Sequence, residues 1–294
     1  MKDLWDTLRQ TGSEFFDDHV PRLSAALAYY SIFSLAPLLL IAISIAGVFF
    51  GDDAASGVLD DQLKSSMGET AAAAVQEMLA STRKPADNLV ATLTGLVLLV
   101  VGAGGVFGQL QDALNTVWGI SPKPGRGLKG MIKDRFLSFS MVLGIGFLLL
   151  TSLALTAFLQ GASDLVGRVL PLHPLFWSTL SAVVAFLIVT ALFAAILKIL
   201  PDADIGWRDV AAGAVFTSVL FSLGKFALGW YLGREATSSS YGSAGSLVLI
   251  LLWVYYSSTI LLLGAEFTQV HANRRGRRIN PTSGAIRTGK FPPE

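Results

Sequence analysis

Three observations predict an all-α, polytopic membrane protein with six transmembrane helices, an N-terminal amphipathic helix and short amphipathic helices in the first outer loop. The 294 residues are 52% hydrophobic and only 15% charged, and the mean hydropathy is +0.58; a soluble domain usually carries roughly a quarter charged residues. Apolar runs lie at about 24–50, 89–110, 136–159, 175–200, 208–230 and 243–268, and each reaches the roughly 20 helical residues that cross a bilayer core. The basic residues are sorted to one side of these runs. Sixteen of the 22 lie in the N-terminus, the 111–135 loop, the connection between runs four and five, and the tail. Five lie in the alternate loops (Lys64, Arg83, Lys84, Arg168, Arg234), and Lys225 sits inside the fifth run. The positive-inside rule then makes both termini cytoplasmic.

Residues 1–23 form the first segment. Leu4, Trp5, Leu8, Phe15, Phe16 and Val20 fall near helical spacing opposite Asp3, Asp6, Arg9, Glu14 and Asp17. This is an amphipathic helix, lying on the membrane surface or packed on the other spans, with Pro21 breaking it. Its five acidic residues, and an apolar run too long for a signal core, argue against a cleavable leader. Residues 24–272 form the membrane domain. Its outer loop, 51–88, is acidic, with Val58, Leu59, Leu63 and Met67, then Val75, Met78 and Leu79, at helical spacing. The inner loop 119–135 is basic and broken by Pro and Gly, which suits topology and attraction to anionic headgroups. Residues 273–294 form a basic cytoplasmic tail expected to be disordered.

Polar positions inside the spans are the functional candidates. In the first span Tyr30, Ser31, Ser34 and Pro37 share a face, and Pro37 frees the carbonyl of Phe33 mid-membrane. That carbonyl either serves a packing kink or lines a ligand cavity. The second span carries Gly102, Gly104, Gly105 and Gly108 and then Gln109, Gln111, Asp112, Asn115 and Trp118. Such glycines admit a neighbouring helix or make room for a substrate. The sixth span has two polar stripes: Ser246, Trp253, Ser257 and Gly264 on one side, and Tyr255, Thr259 and Glu266 nearly opposite. Lys225 and Glu266 lie on the order of 20 Å apart in depth, too far to pair. Glu266 is within reach of Arg135, Lys198 or Arg208 for a structural pair, and Lys225 either snorkels, meets Glu235, or lines a path. The candidate substrate path is therefore Tyr30, Ser34, Pro37, Lys225, Trp253, Tyr255, Thr259 and Glu266. Asn115, Trp118 and Arg135 form a candidate inner-face cluster.

Several segments resemble the YihY/BrkB family of bacterial inner-membrane proteins, once labelled ribonuclease BN. They are LSAALAYYSIFSLAPLLL (23–40), ALNTVWG (113–119), the Arg135 leading into the third span, LPDADIGWRDVAAGAVFTSVLFSLGKFALGWYL (200–232) and YGSAGSLVLILLWVYYSSTILLLGAEF (241–267). The resemblance implies six spans, cytoplasmic termini, an inner-membrane location and an association with envelope integrity or serum resistance. It implies no settled biochemical activity.

A nuclease is not expected. Metal-dependent hydrolysis needs clustered ligands, whereas His19, His173 and His271 are far apart and the chain has no cysteine. No enzyme activity, metal, cofactor or nucleic-acid partner is expected. The first functional reading is a transporter or flippase of a lipid-like or amphipathic anionic molecule. The second is a non-catalytic envelope scaffold that recruits partner proteins. Membrane lipids, a further copy of the chain or an envelope protein are the expected partners.

Overall fold

Apolar length organises the molecule. In the computed structural model, which describes residues 2–32, 34, 56–57, 60, 63–64, 69–82, 105–124, 174–235 and 244–288, three helices are long and apolar enough to cross a membrane. These are α5 (Pro174–Ile199), α6 (Trp207–Glu235) and α7 (Ala244–Arg274). Preceding them are α1 (Lys2–Asp17), α2 (20–32), α3 (Glu69–Thr82) and α4 (105–117). The expected spans at 89–110 and 136–159 lie largely or wholly outside the described residues, as do Pro37, Arg135 and most of the first span.

Helix α6 packs against both α5 and α7, and α1 and α3 pack against α7. The outward surfaces are apolar: Leu187, Leu223 and Phe226 are all exposed, as a lipid-facing surface requires. Burial concentrates instead at one end of the bundle, here called the terminal face, where α1 and the residues after α7 come together. Leu114, Val117 and Trp118 pack there with Leu197, Val210, Leu262 and Ala265 in a single core cluster.

Small residues set the spacing of α6 and α7. A Cβ on Gly213 would meet Thr268 Oγ1 at 1.7 Å, and one on Gly264 would meet Thr217 Oγ1 at 1.8 Å. Each threonine turns its hydroxyl onto its own helix, Thr217 donating to Gly213 O and Thr268 to Gly264 O, both at 2.7 Å. The pair is reciprocal: a glycine four residues before a threonine on each of two antiparallel helices. Higher up, Gly224 lies against the Tyr256 ring, whose hydroxyl donates to Leu220 O at 3.2 Å. Phe193, Phe221 and Trp253 stack edge to face across α5, α6 and α7.

The break after α1 falls at Asp18–His19 rather than at Pro21. His19 takes a positive φ of 53°, and its carbonyl accepts from the amides of Arg22 and Leu23. Pro21 thus sits in the first turn of α2, where its missing N–H costs nothing. Helix α1 buries Thr7 and Thr11 and leaves Leu4, Trp5 and Phe16 exposed.

The tail departs most from expectation, because residues 275–288 are ordered. Gly276, at φ 70°, ends α7, with the Arg277 amide donating to Ala272 O at 2.9 Å, a left-handed cap. Beyond it, β3 (Asn280–Pro281) pairs antiparallel with β2 (Ala203–Asp204), and β4 (Ala285–Arg287) with β1 (Ile120–Pro122). The arginines that suggested a solvated basic tail are structural anchors. Arg277 pairs with buried Asp209 at 3.4 Å, and Arg287 donates to Ile279 O at 2.6 Å. Arg274 reaches α1 through Asp3 O at 2.8 Å and Thr7 Oγ1 at 2.9 Å. Because Asp3 and Asp6 are exposed, Arg274→Ala should cost less than about 1 kcal/mol of global stability. It should still speed amide exchange across α1, which hydrogen-exchange mass spectrometry will read; unchanged α1 exchange would contradict this anchoring.

Candidate functional site

At 100° per residue, Tyr255, Thr259, Leu262, Glu266, Gln269 and Asn273 fall within an arc of about 80° on α7. The stripe anticipated as Tyr255, Thr259 and Glu266 therefore runs on to the terminal face. There it opens into a cavity of about 380 Å3 lined by Gln10, Trp118, Gln269, Asn273, Arg278 and Arg287.

Four elements build this cavity. Helix α7 supplies Gln269 and Asn273, and α1 supplies Gln10. The tail, folded back by the Gly276 cap and the β4–β1 pairing, supplies Arg278 and Arg287. Trp118, one residue past α4, forms part of the lining, and its indole N–H donates to Ala265 O at 3.0 Å. That bond ties α4 to α7 beside Glu266. Asn115, three residues earlier, is buried and holds the α5–α6 connection by two bonds. Its Oδ1 accepts from the Asp202 amide at 2.9 Å, and its Nδ2 donates to Asp202 Oδ2 at 3.2 Å.

Glu266 is the polar feature of greatest consequence. It is 0% exposed, and neither carboxyl oxygen has a hydrogen-bond partner among the described residues. No lysine or arginine pairs with it among the described residues. Of the expected partners, Lys198 is engaged by Asp204 at 3.3 Å and Ile205 O at 2.6 Å, and Arg208 is exposed. Glu14 and Asp17 of α1 are close enough for their charges to act on it. A buried carboxyl without a partner is costly; the third expected partner, Arg135, lies outside the described residues.

The other predicted residues separate into distinct places. Trp253 is 8% exposed and belongs to the aromatic stack between helices. Tyr255 is half-buried, and Thr259 donates to its carbonyl at 2.8 Å. Tyr30 is 44% exposed and lies near Gly105, and Ser34 donates to its carbonyl at 3.0 Å. Lys225 is level with Tyr256 across the Gly224 contact, ten residues from Glu266 along α7, or about 15 Å. It forms no ion pair among the described residues, and the two ionisable groups are indeed separate. Gln269 and Asn273 were missed as site residues, although they continue the helical spacing of Glu266. Arg278, Arg287 and Gln10 reach the cavity through tertiary folding and have no local signature.

The profile of a family described as Virulence factor BrkB matches residues 11–287. Among similar proteins, a UPF0761 membrane protein of Saccharophagus degradans is 31% identical over 89% of this chain and 58% of its own. One from Verminephrobacter eiseniae is 30% identical over 90% of this chain and 62% of its own. One from Azotobacter vinelandii is 30% identical over 95% and 66%. The chain spans about three fifths of the length of the curated relatives it matches first. No solved structure matches.

Proposed function

We propose, from the premise that this chain belongs to the Virulence factor BrkB family of membrane proteins, that it transports or flips a lipid-like or amphipathic molecule bearing an anionic group. One observation carries the reading: a polar stripe on a membrane-length helix joins a buried carboxyl, without a partner among the described residues, to an open cavity with arginines in its wall. A helix that only anchors the chain has no use for such a stripe.

In this reading the six apolar runs all cross the bacterial inner membrane, and the terminal face is cytoplasmic. Helix α1 lies in the interface with Trp5, Leu8 and Phe16 toward lipid. The protein is not an enzyme. Movement along the stripe is passive, ion-coupled or driven by a partner. Purified protein in vesicles of native lipids should accelerate transbilayer movement of acyl-chain-labelled phospholipids over protein-free vesicles; equal rates would count against transport. Lys225→Ala separates the scaffold alternative. On the transport reading it impairs complementation of a deletion strain at normal protein level, and on the scaffold reading complementation is intact.

A further inference from the structure

The cavity at the terminal face is lined by three carboxamides and, among the described residues, by no carboxylate. Gln269 and Asn273 stand one turn apart on α7, and Gln10 joins them from α1, which packs against α7. None of the three side chains forms a hydrogen bond among the described residues. Gln269 is the telling one. It is only 4% exposed, yet neither of its carboxamide atoms is sealed off by protein, so the group ends at the cavity. Buried carboxamides ordinarily have their donors and acceptor matched, and packing alone gives no reason for one here. Trp118 has already committed its N–H to Ala265 O, so it offers the cavity carbon surface only.

We infer that this cavity binds the vicinal diol of a glycerol-type phosphoester, its hydroxyls on Gln269, Asn273 and Gln10 and its carbon chain along Trp118. A carboxamide presents two N–H donors and a carbonyl acceptor. A bare phosphate or carboxylate uses the donors and leaves the carbonyl oxygens unmatched. An ammonium uses the carbonyls alone, and the charge of Arg278 and Arg287 in the same wall opposes it. A hydroxyl donates and accepts at once, and two on adjacent carbons engage two carboxamides together. The cationic wall favours the phosphoester that carries the diol, and about 380 Å3 holds a headgroup of this size. The same diol comes on a phospholipid headgroup or on a free soluble ester. The inference deepens the transport reading and rests on it for every step after binding, whereas binding itself is measured without transport.

Purified full-length protein in detergent is titrated calorimetrically with glycerol 3-phosphate and propyl phosphate, then with short-chain phosphatidylglycerol and phosphatidylpropanol. The members of each pair have equal charge and differ only in the two hydroxyls. The diol should bind about tenfold tighter in at least one pair. Preference in the lipid pair alone assigns a lipid headgroup, and preference in both admits the free ester. Gln269→Met, which keeps the side-chain length and suits a helix, should erase the preference. Gln10→Leu, at an exposed position on another helix, should reduce it about threefold. Because Gln269 has no side-chain hydrogen bond to lose among the described residues, Gln269→Met should unfold at or above the wild-type temperature, which separates lost binding from lost folding. A large fall in that temperature would show that the carboxamide serves the fold and would overturn the inference. Equal affinity within both pairs, preference unaltered in Gln269→Met, or no binding of any probe at millimolar concentration would overturn it as well. Preference without lipid flipping would sink the transport reading alone, and flipping without preference would sink only this one.

Discussion

Gly264→Leu is expected to leave no folded bundle that survives gel filtration in mild detergent. Even the single carbon of alanine at this position would stand 1.8 Å from Thr217 Oγ1 and 3.0 Å from Thr217 Cβ. Gly264→Ala should therefore cost about 1–3 kcal/mol, the range for overpacking a filled interior. The threonine can escape only by rotating its hydroxyl away from Gly213 O, which gives up a buried hydrogen bond. Because the contact is reciprocal, Gly213→Ala should cost a similar amount through Thr268. Thr217→Ala should restore much of the loss in the Gly264→Ala background, since it removes the clashing oxygen. Thermal unfolding followed by fluorescence tests the set. Wild-type stability in both alanine variants would show that α6 and α7 are not packed through these glycines.

Asn115→Leu should be the second most damaging change. It keeps the branching of the side chain but removes the acceptor of the Asp202 amide and one donor to the Asp202 carboxylate, both in a buried setting. Losing both bonds should cost about 1–3 kcal/mol, as expected where a buried donor is left without its acceptor. The damage should also be directional. The Asp202 carbonyl accepts from the Thr282 amide at 2.9 Å, and β2 pairs with β3. The tail should therefore exchange its amides faster while α7 stays protected. Hydrogen exchange resolved by peptide will show this, and uniform exchange across the chain would contradict it.

Much of the membrane architecture is legible from residue order. Apolar length located α5, α6 and α7, because bilayer thickness imposes a hard minimum on a run. The stripe on α7 is equally legible, since hydroxyls and a carboxylate at helical spacing stand out against leucines. What escaped has a common cause. Residues 273–294 read as a solvated basic tail because arginine composition alone does not reveal the partners that Arg274, Arg277 and the segment up to residue 288 find. Those partners, Asp209, Asp3 and the edges of β1 and β2, are distant in the chain. Two- and three-residue strands also carry no periodicity. Gly213 gave no signal and Gly264 was noted only for its place on a stripe, as each matters only against the threonine on the other helix. Trp253 illustrates the converse: its place on a polar stripe suggested a path, while its ring serves the α5–α6–α7 stack.

The central claim is that the α7 stripe, with Glu266 buried at its end, carries an amphipathic molecule to or from the terminal cavity. Transbilayer movement of acyl-chain-labelled phospholipids in reconstituted vesicles addresses it most directly, with wild type, Glu266→Gln and protein-free vesicles run side by side. Wild-type protein should accelerate movement well above protein-free vesicles, and Glu266→Gln should lose about tenfold or more of that rate, equivalent to about 1.4 kcal/mol in the barrier, at equal incorporation. A wild-type rate equal to that of protein-free vesicles, or a variant as fast as wild type, would contradict the claim.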